Sequence, residues 1–266
     1  MKRSENGKAT VKIAVVGKYF NSGDFILSDV YLSVLEAIKY SAYQLGLKPD
    51  IHYLSAQAFE NDEPLSSLDK YDGVLIPGGF GITGIKGKLK VIEYVRQQKI
   101  PYFGICYGMQ LAVVEYTRNV LGRTDTTAAE FKSIHKEAEH YVIDIMADQK
   151  AKLAKRDMGG TMRLGEYPAE LKPDSLAFKA YGTKKISERH RHRYEVNQSF
   201  VADLEASGLH FSDRSPDGEL MEIMELEARQ HPFFVGVQFH PEFHARPLNP
   251  HPLFTAFIEA ASKGDK

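Results

Sequence analysis

The sequence predicts an α/β fold: a doubly wound, mostly parallel central sheet flanked by helices. Three observations carry this expectation. Strand-like and helix-like runs alternate through the first half of the chain. The strand-like runs are continuously apolar, as strands covered on both faces must be. Several of them close in glycine, where the backbone has to turn sharply into the next element.

In chain order, Val11 to Gly17 reads as a buried strand, and Ser28 to Leu45 sets Tyr31, Val34, Leu35, Ile38 and Ala42 at helical spacing. Ile51 to Leu54 is a short strand, Gly73 to Gly79 an apolar run ending in glycines, and Lys88 to Gln98 a helix. Pro101 to Ile105 is a strand that delivers Cys106, and Gln110 to Leu121 a helix that leaves it, with Gly122 as its cap. The second half is less regular. His140 to Met146, Met162 to Leu164 and Ile186 to Val196 read as strands, and Glu219 to Glu227 fits either strand or helix. Ala147 to Asp157 is lysine-rich without an apolar face and reads as a mobile surface loop. Phe233 to Phe239 is a buried strand and Pro252 to Ala261 a closing helix. No internal boundary stands out, so residues 11–262 are expected to form one domain, after a polar lead-in or interdomain linker over 1–10 and before a tail over 263–266.

Composition narrows the function classes. The chain has 266 residues, 43% hydrophobic and 26% charged, with a net charge of -1, so no overall field points to nucleic acid or a membrane surface. A single cysteine excludes an internal disulfide and fits a reducing, cytoplasmic setting. No apolar run approaches the roughly 20 residues of a membrane-spanning helix.

Cys106 sits in Gly104-Ile105-Cys106-Tyr107-Gly108, the Gly-x-nucleophile-x-Gly pattern of a strand-to-helix elbow. Such a turn is tight, and glycines remove the side chains that would collide across it. The thiol is presented at a helix N-terminus, where the dipole favours thiolate. Taken alone, a cysteine beside a glycine-flanked turn is more often structural than reactive. Two further signals fall at the same predicted sheet edge, Gly78-Gly79 and His240-Pro241-Glu242, and ligands of open α/β sheets bind outside the carboxyl ends of the strands. In an extended segment His240 and Glu242 point the same way, so Glu242 can hold one imidazole nitrogen while the other faces Cys106. Backbone N–H groups of the Gly78-Gly79-Phe80-Gly81 loop, with that of Tyr107, suit an oxyanion hole. Gln110, one helical turn after Cys106, can meet a polar substrate. In Glu188 to Glu195, arginines and histidines alternate. A solvated charged strand, a His-x-His metal pair lacking a third ligand, and an arginine clamp for a carboxylate all fit, whereas nucleic acid fits poorly.

The string Gly-Ile-Cys-x-Gly-Met-Gln with the later Gln-Phe-His-Pro-Glu-Phe resembles the class I (triad) glutamine amidotransferases. Val16 to Tyr19, Pro77 to Gly81, Met158 to Gly165, Glu188 to Asn197 and His240 to Pro247 narrow the resemblance to the glutaminase domains of the CTP synthase family, over about Val11 to Ala260. The resemblance implies release of ammonia from glutamine through a glutamyl thioester on Cys106, with His240 as base and acid and Glu242 orienting it. It implies an oxyanion hole from Gly79 and Tyr107, and glutamine binding by Gly79, Tyr107, Gln110, Glu130 and Arg193, with Glu130 on the ammonium and Arg193 on the α-carboxylate. It implies neither a metal nor a cofactor in this domain. Ammonia is expected to pass to a synthetase (amidoligase) domain that converts UTP to CTP with ATP and Mg, with GTP as activator. The phosphate loop of that domain, Gly-x-x-x-x-Gly-Lys-Ser/Thr, does not occur here, so the synthetase is expected in cis or trans. The resemblance places the contacts between copies mainly in that domain, so it implies a monomer for the isolated domain. Two other readings share these residues: a free-standing Cys-His γ-glutamyl hydrolase, and a non-catalytic regulatory module. Three positions depart from the family pattern. Tyr107 stands where leucine is usual, and Thr83 and Lys86 replace an arginine and a glutamate of the loop associated with the GTP response.

Overall fold

A computed structural model describes residues 9–18, 31–145 and 162–264. β1 (Thr10–Gly17), β2 (Lys48–Ser55), β3 (Gly73–Ile76), β4 (Tyr102–Ile105) and β12 (Phe234–Val237) run parallel in the spatial order β2-β1-β3-β4-β12. β3, β4 and β12 are buried along their whole length, as their unbroken apolar runs require. The crossovers are α1 (Leu32–Gln44), α3 (Ile85–Gln98), which follows the short α2 (Ala56–Glu60), and α4 (Tyr107–Asn119).

Beyond β12 the sheet changes character. β11 (Met221–Leu226), β10 (Leu209–Arg214), β7 (Arg163–Leu171) and β8 (Lys185–His192) continue it antiparallel, completing nine strands. α5 (Leu176–Tyr181) and α6 (Gln198–Ala206) pack beside β10 in this half, whereas the closing helix α7 (Pro252–Ser262) returns to pack on α1, β1 and β3 of the parallel half. The parallel, doubly wound part is thus the half that carries the elbow, and an antiparallel extension makes the whole sheet mixed.

A second, three-stranded sheet is formed by β5 (Thr126–Ala128), β6 (His140–Ile145) and β9 (Tyr194–Val196). It covers the outer side of α4. That explains why α4 is apolar nearly all round, with every residue from Tyr107 to Thr117 buried. The other face of the large sheet is closed by an aromatic cluster in which Phe103 packs against Phe254 at 5.2 Å and Phe257 at 5.8 Å between ring centroids. Each ring of this kind contributes roughly 2–3 kcal/mol by burial.

Several expected elements change on folding. Ile186 to Val196 is not one strand: β8 ends at His192 and β9 begins at Tyr194, in different sheets, with Arg193 at the break. Met162 to Leu164 proves to be the start of the longer β7, and Glu219 to Glu227 resolves as β11. Helix α3 starts at Ile85, three residues before Lys88, after Gly84 at φ +76°. The lysine-rich stretch 147–157 lies outside the described residues.

Candidate active site

The site lies where β1, β3, β4 and β12 end. Cys106 occupies the turn between β4 and α4 with φ 49° and ψ -95°, a conformation that costs a non-glycine residue about 1–3 kcal/mol. Neighbouring contacts hold it there. Its N–H donates to the Val237 carbonyl at 2.6 Å, tying the elbow to β12, and its own carbonyl accepts the first helical hydrogen bond from Gln110 N–H at 3.1 Å. The flanking glycines are sterically required. A β-carbon on Gly108 would lie 2.3 Å from the Ile76 carbonyl oxygen, and one on Gly104 would lie 2.8 Å from the Gly108 carbonyl carbon.

β4 and β12 are adjacent and in register, with Ile105 opposite Val237, so the residue after one strand and the third residue after the other meet at one edge. His240 is buried, and its Nδ1 lies 2.7 Å from Glu242 Oε1. The segment joining them is a single 3-10 turn over Pro241–Phe243 rather than the extended strand end expected from sequence. The i, i+2 pair still meets because that turn curls Glu242 back beneath the ring. Burial disfavours a charged imidazole, but the Glu242 carboxylate, and then Cys106, outweigh it and raise the His240 pKa well above the ordinary histidine value. The favoured state of His240 is therefore the imidazolium, hydrogen-bonded to Glu242 and to Cys106.

Gln238, which sequence reasoning passed over, completes this group. Its Nε2 donates to Cys106 Sγ at 3.7 Å, and its Oε1 accepts from Gln110 Nε2 at 3.2 Å. Gln110 also donates to the Tyr194 carbonyl at 3.1 Å, so its amide nitrogen is spent internally and its carbonyl oxygen is the atom left for a ligand. The available signal was period-two spacing, since Gln238 precedes His240 by two residues.

Around the mouth, the Gly78–Gly81 loop is gripped from three sides. Lys18 Nζ donates to the Phe80 carbonyl, the Tyr107 hydroxyl donates to the Gly81 carbonyl, and the Gly81 N–H donates to Glu130 Oε1 at 2.6 Å. Gly79 has open space where a β-carbon would stand. Burial raises the Glu130 pKa, opposed by the Gly81 N–H and the charges of Lys18, Arg193 and Lys88. Arg193, at the break between β8 and β9, is half-buried, and its Nε has no hydrogen-bond partner among the described residues. Thus Cys106, His240 and Glu242 form one cluster, while Glu130 and Arg193 approach the site together from the small sheet. Thr83 and Lys86 are exposed. A cleft of about 280 Å³ passes Gly78, Gly79, Phe80, His240 and Phe243.

Behind His240, the alternation in β8 puts Arg189 and Arg191 outside and His190 and His192 inside. His190 Nδ1 meets His192 Nε2 at 2.9 Å, and Arg163 Nη1 donates to Glu222 Oε1 at 2.5 Å beside them. Burial, with nearby positive charge, lowers the His190 pKa to about 2 and that of His192 to about 3. The His-x-His pair is therefore spent on its own hydrogen bond. Among the described residues, a three-residue group with metal-ligand spacing is Asp125, Glu139 and His140, which lies on the small sheet and its approach.

The family model described as "Glutamine amidotransferase class-I" matches residues 26–260. Curated relatives named CTP synthase include those of Rhodococcus jostii (strain RHA1), 48% identical over 99% of this chain and 43% of that protein, and Maricaulis maris (strain MCS10), 46% identical over 96% and 46%. The chain therefore spans less than half the length of these relatives. Among solved structures, the glutaminase domain of Trypanosoma brucei CTPS with bound acivicin is 37% identical, with a TM-score of 0.84, over 97% of this chain and 96% of that one. A glutamine amidotransferase from Thermotoga maritima, 13% identical with a TM-score of 0.54 over 96% of this chain and 99% of that one, shares the fold.

Proposed function

Because the chain belongs to the class I glutamine amidotransferases and is a glutaminase domain of the CTP synthase kind, we propose that Cys106 hydrolyses the side-chain amide of L-glutamine to glutamate and ammonia. The observation that carries the reading is the junction of Cys106, His240 and Glu242 at the ends of two adjacent parallel strands. The Cys106 thiolate attacks the amide carbon, and the N–H groups of Gly79 and Tyr107 receive the developing oxyanion. His240, already an imidazolium, gives its proton to the leaving nitrogen, and ammonia departs from a glutamyl thioester. The neutral imidazole then takes a proton from water as it attacks the thioester, and collapse of that adduct returns the thiolate and releases glutamate. Glu242 fixes the ring and supports its charge throughout. Glu130 binds the α-ammonium through the oxygen not committed to Gly81, Arg193 binds the α-carboxylate, and the Gln110 carbonyl oxygen contributes a further polar contact.

In this reading the ammonia serves a synthetase domain that aminates UTP to CTP with ATP and Mg, supplied by the portion of the relatives that this chain does not span. Exposure of Thr83 and Lys86, with Tyr107 in place of leucine, makes the GTP response the property most open to change.

The test is glutamate release from glutamine by the purified chain, with and without an added synthetase domain, UTP, ATP and GTP, beside Cys106→Ala. Wild type is expected to release glutamate and, with acivicin, to form an S–C bond at Cys106 with loss of chloride, gaining the mass of one acivicin less HCl, and Cys106→Ala to do neither. Equal turnover by both proteins overturns the nucleophile assignment.

A further inference from the structure

Gly81 is held at both ends of its peptide by groups that belong to different parts of the site. Its N–H is given to Glu130 Oε1 at 2.6 Å, and its carbonyl accepts from the Tyr107 hydroxyl. Its φ of +78° places it in the left-handed region, so the loop has a defined bend at this residue. Tyr107 is nearly fully buried, and its ring is clamped by Lys88 Nζ at 4.8 Å on its face and by the Phe131 edge at 5.7 Å. Phe131 directly follows Glu130 in the same 3-10 turn, Ala129–Phe131. Glu130 and the Tyr107 side chain are thus joined twice, once through the Gly81 peptide and once through Phe131. Tyr107 is also the first residue of α4 and follows Cys106 directly, so whatever fixes its ring fixes the peptide N–H beside the nucleophile.

We propose that the Tyr107 hydroxyl is a positioning group that couples occupation of the α-ammonium subsite at Glu130 to the geometry of the oxyanion hole, with Gly81 as the bridge. This rests on the glutaminase reading above. A cation drawn to the outer oxygen of Glu130 fixes that carboxylate. The carboxylate fixes the Gly81 N–H, and the Gly81 carbonyl, held by Tyr107, fixes the Gly79 N–H two residues earlier. Recognition of the amino group then serves the transition state and not only binding. A side chain without a hydroxyl cannot make this bridge, so the coupling depends on the tyrosine at position 107.

The experiment is a cycle of two substrates and two proteins: glutamine and its deamino analogue glutaramate, with wild type and Tyr107→Phe. Wild type is expected to lose kcat, and not only to raise KM, when the amino group is removed. Tyr107→Phe is expected to lower kcat for glutamine about tenfold, the effect of one lost hydrogen bond in a transition state, while changing kcat for glutaramate less than about twofold. Equal losses on both substrates would make Tyr107 a plain structural support and overturn the proposal, as would no loss on either. Hydrogen exchange over residues 78–84 gives an answer that does not depend on turnover. Glutamine is expected to slow exchange there in wild type and to lose that effect in Tyr107→Phe, whereas the same response in both proteins, or none in either, refutes the bridge. Wild type that binds glutamine with protection of this loop but releases no glutamate would defeat the glutaminase reading alone.

Discussion

Gly78 and His240 are in such close contact that a β-carbon on Gly78 would lie 2.7 Å from Cε1 of the imidazole. The obstacle is a ring whose Nδ1 is already committed to Glu242, so it cannot yield without breaking that pair. Gly78→Ala is therefore expected to displace the base rather than unfold the sheet. A shift near 1 Å costs about a hundredfold in rate. Steady-state turnover of glutamine and a melting curve check this: kcat should fall by about that factor, with the folded state retained.

Glu242→Gln removes the charge that, after the opposing effect of burial, does most to raise the His240 pKa. The imidazolium form then survives to a lower pH than in wild type. The alkaline limb of the kcat/KM profile is expected to move down, with a lower plateau. An unmoved limb would show that the carboxylate does not support the imidazolium.

Lys88 is buried and carries a pKa lowered to about 7, chiefly by burial and then by the charge of Lys18. An unfolded lysine keeps its proton up to about 10.5, so between about 7 and 10.5 the unfolded chain binds the extra proton and stability rises with pH. Below about 7 the full cost of the buried charge is present. Lys88→Met is expected to be more stable than wild type at pH 6, on the order of a few kcal/mol, with the gain shrinking towards pH 10. Denaturant unfolding at the two pH values measures it.

Asp213 is fully buried, and its pKa is raised to about 8 by burial and then by the Glu222 charge, with a smaller push from Glu188. The unfolded carboxyl ionises near 4 while the folded one holds its proton, so wild type loses stability through this group as pH rises from about 4 to 8. Asp213→Asn keeps the shape without the titration. Its stability relative to wild type is expected to climb between pH 4 and pH 8, and parallel unfolding curves for the two proteins across that range would contradict this.

The parts of the site legible in the sequence are those fixed by neighbours in the chain. Gly104, Cys106 and Gly108 declare a turn whose steric demands are local, and His240 with Glu242 declares a pair two residues apart. The rest depends on partners that only folding supplies. Gln238 and Lys18 look like ordinary polar residues at strand ends until the sheet sets them against Cys106 and the Phe80 carbonyl. Arg193 sits in an alternating run that reads as one strand, and only the presence of two sheets explains why the strand breaks there. For His190 and His192 the sequence leaves a solvated strand and a metal pair both open, because their cover, Arg163 and Glu222, comes from β7 and β11.

The position of β12 in the middle of the large sheet sets an order of events during synthesis. Cys106 lies 132 residues before Gln238, and the strand that brings His240 to it must slot between β4 and β11. At ordinary translation rates the thiol emerges on the order of ten seconds before its base. Through that interval the nascent elbow holds a cysteine without the imidazole, the carboxylate or the glutamine amide that surround it in the folded chain. In the proposed reaction, docking of the last central strand would therefore both complete the sheet and assemble the group around Cys106, making the two a single event.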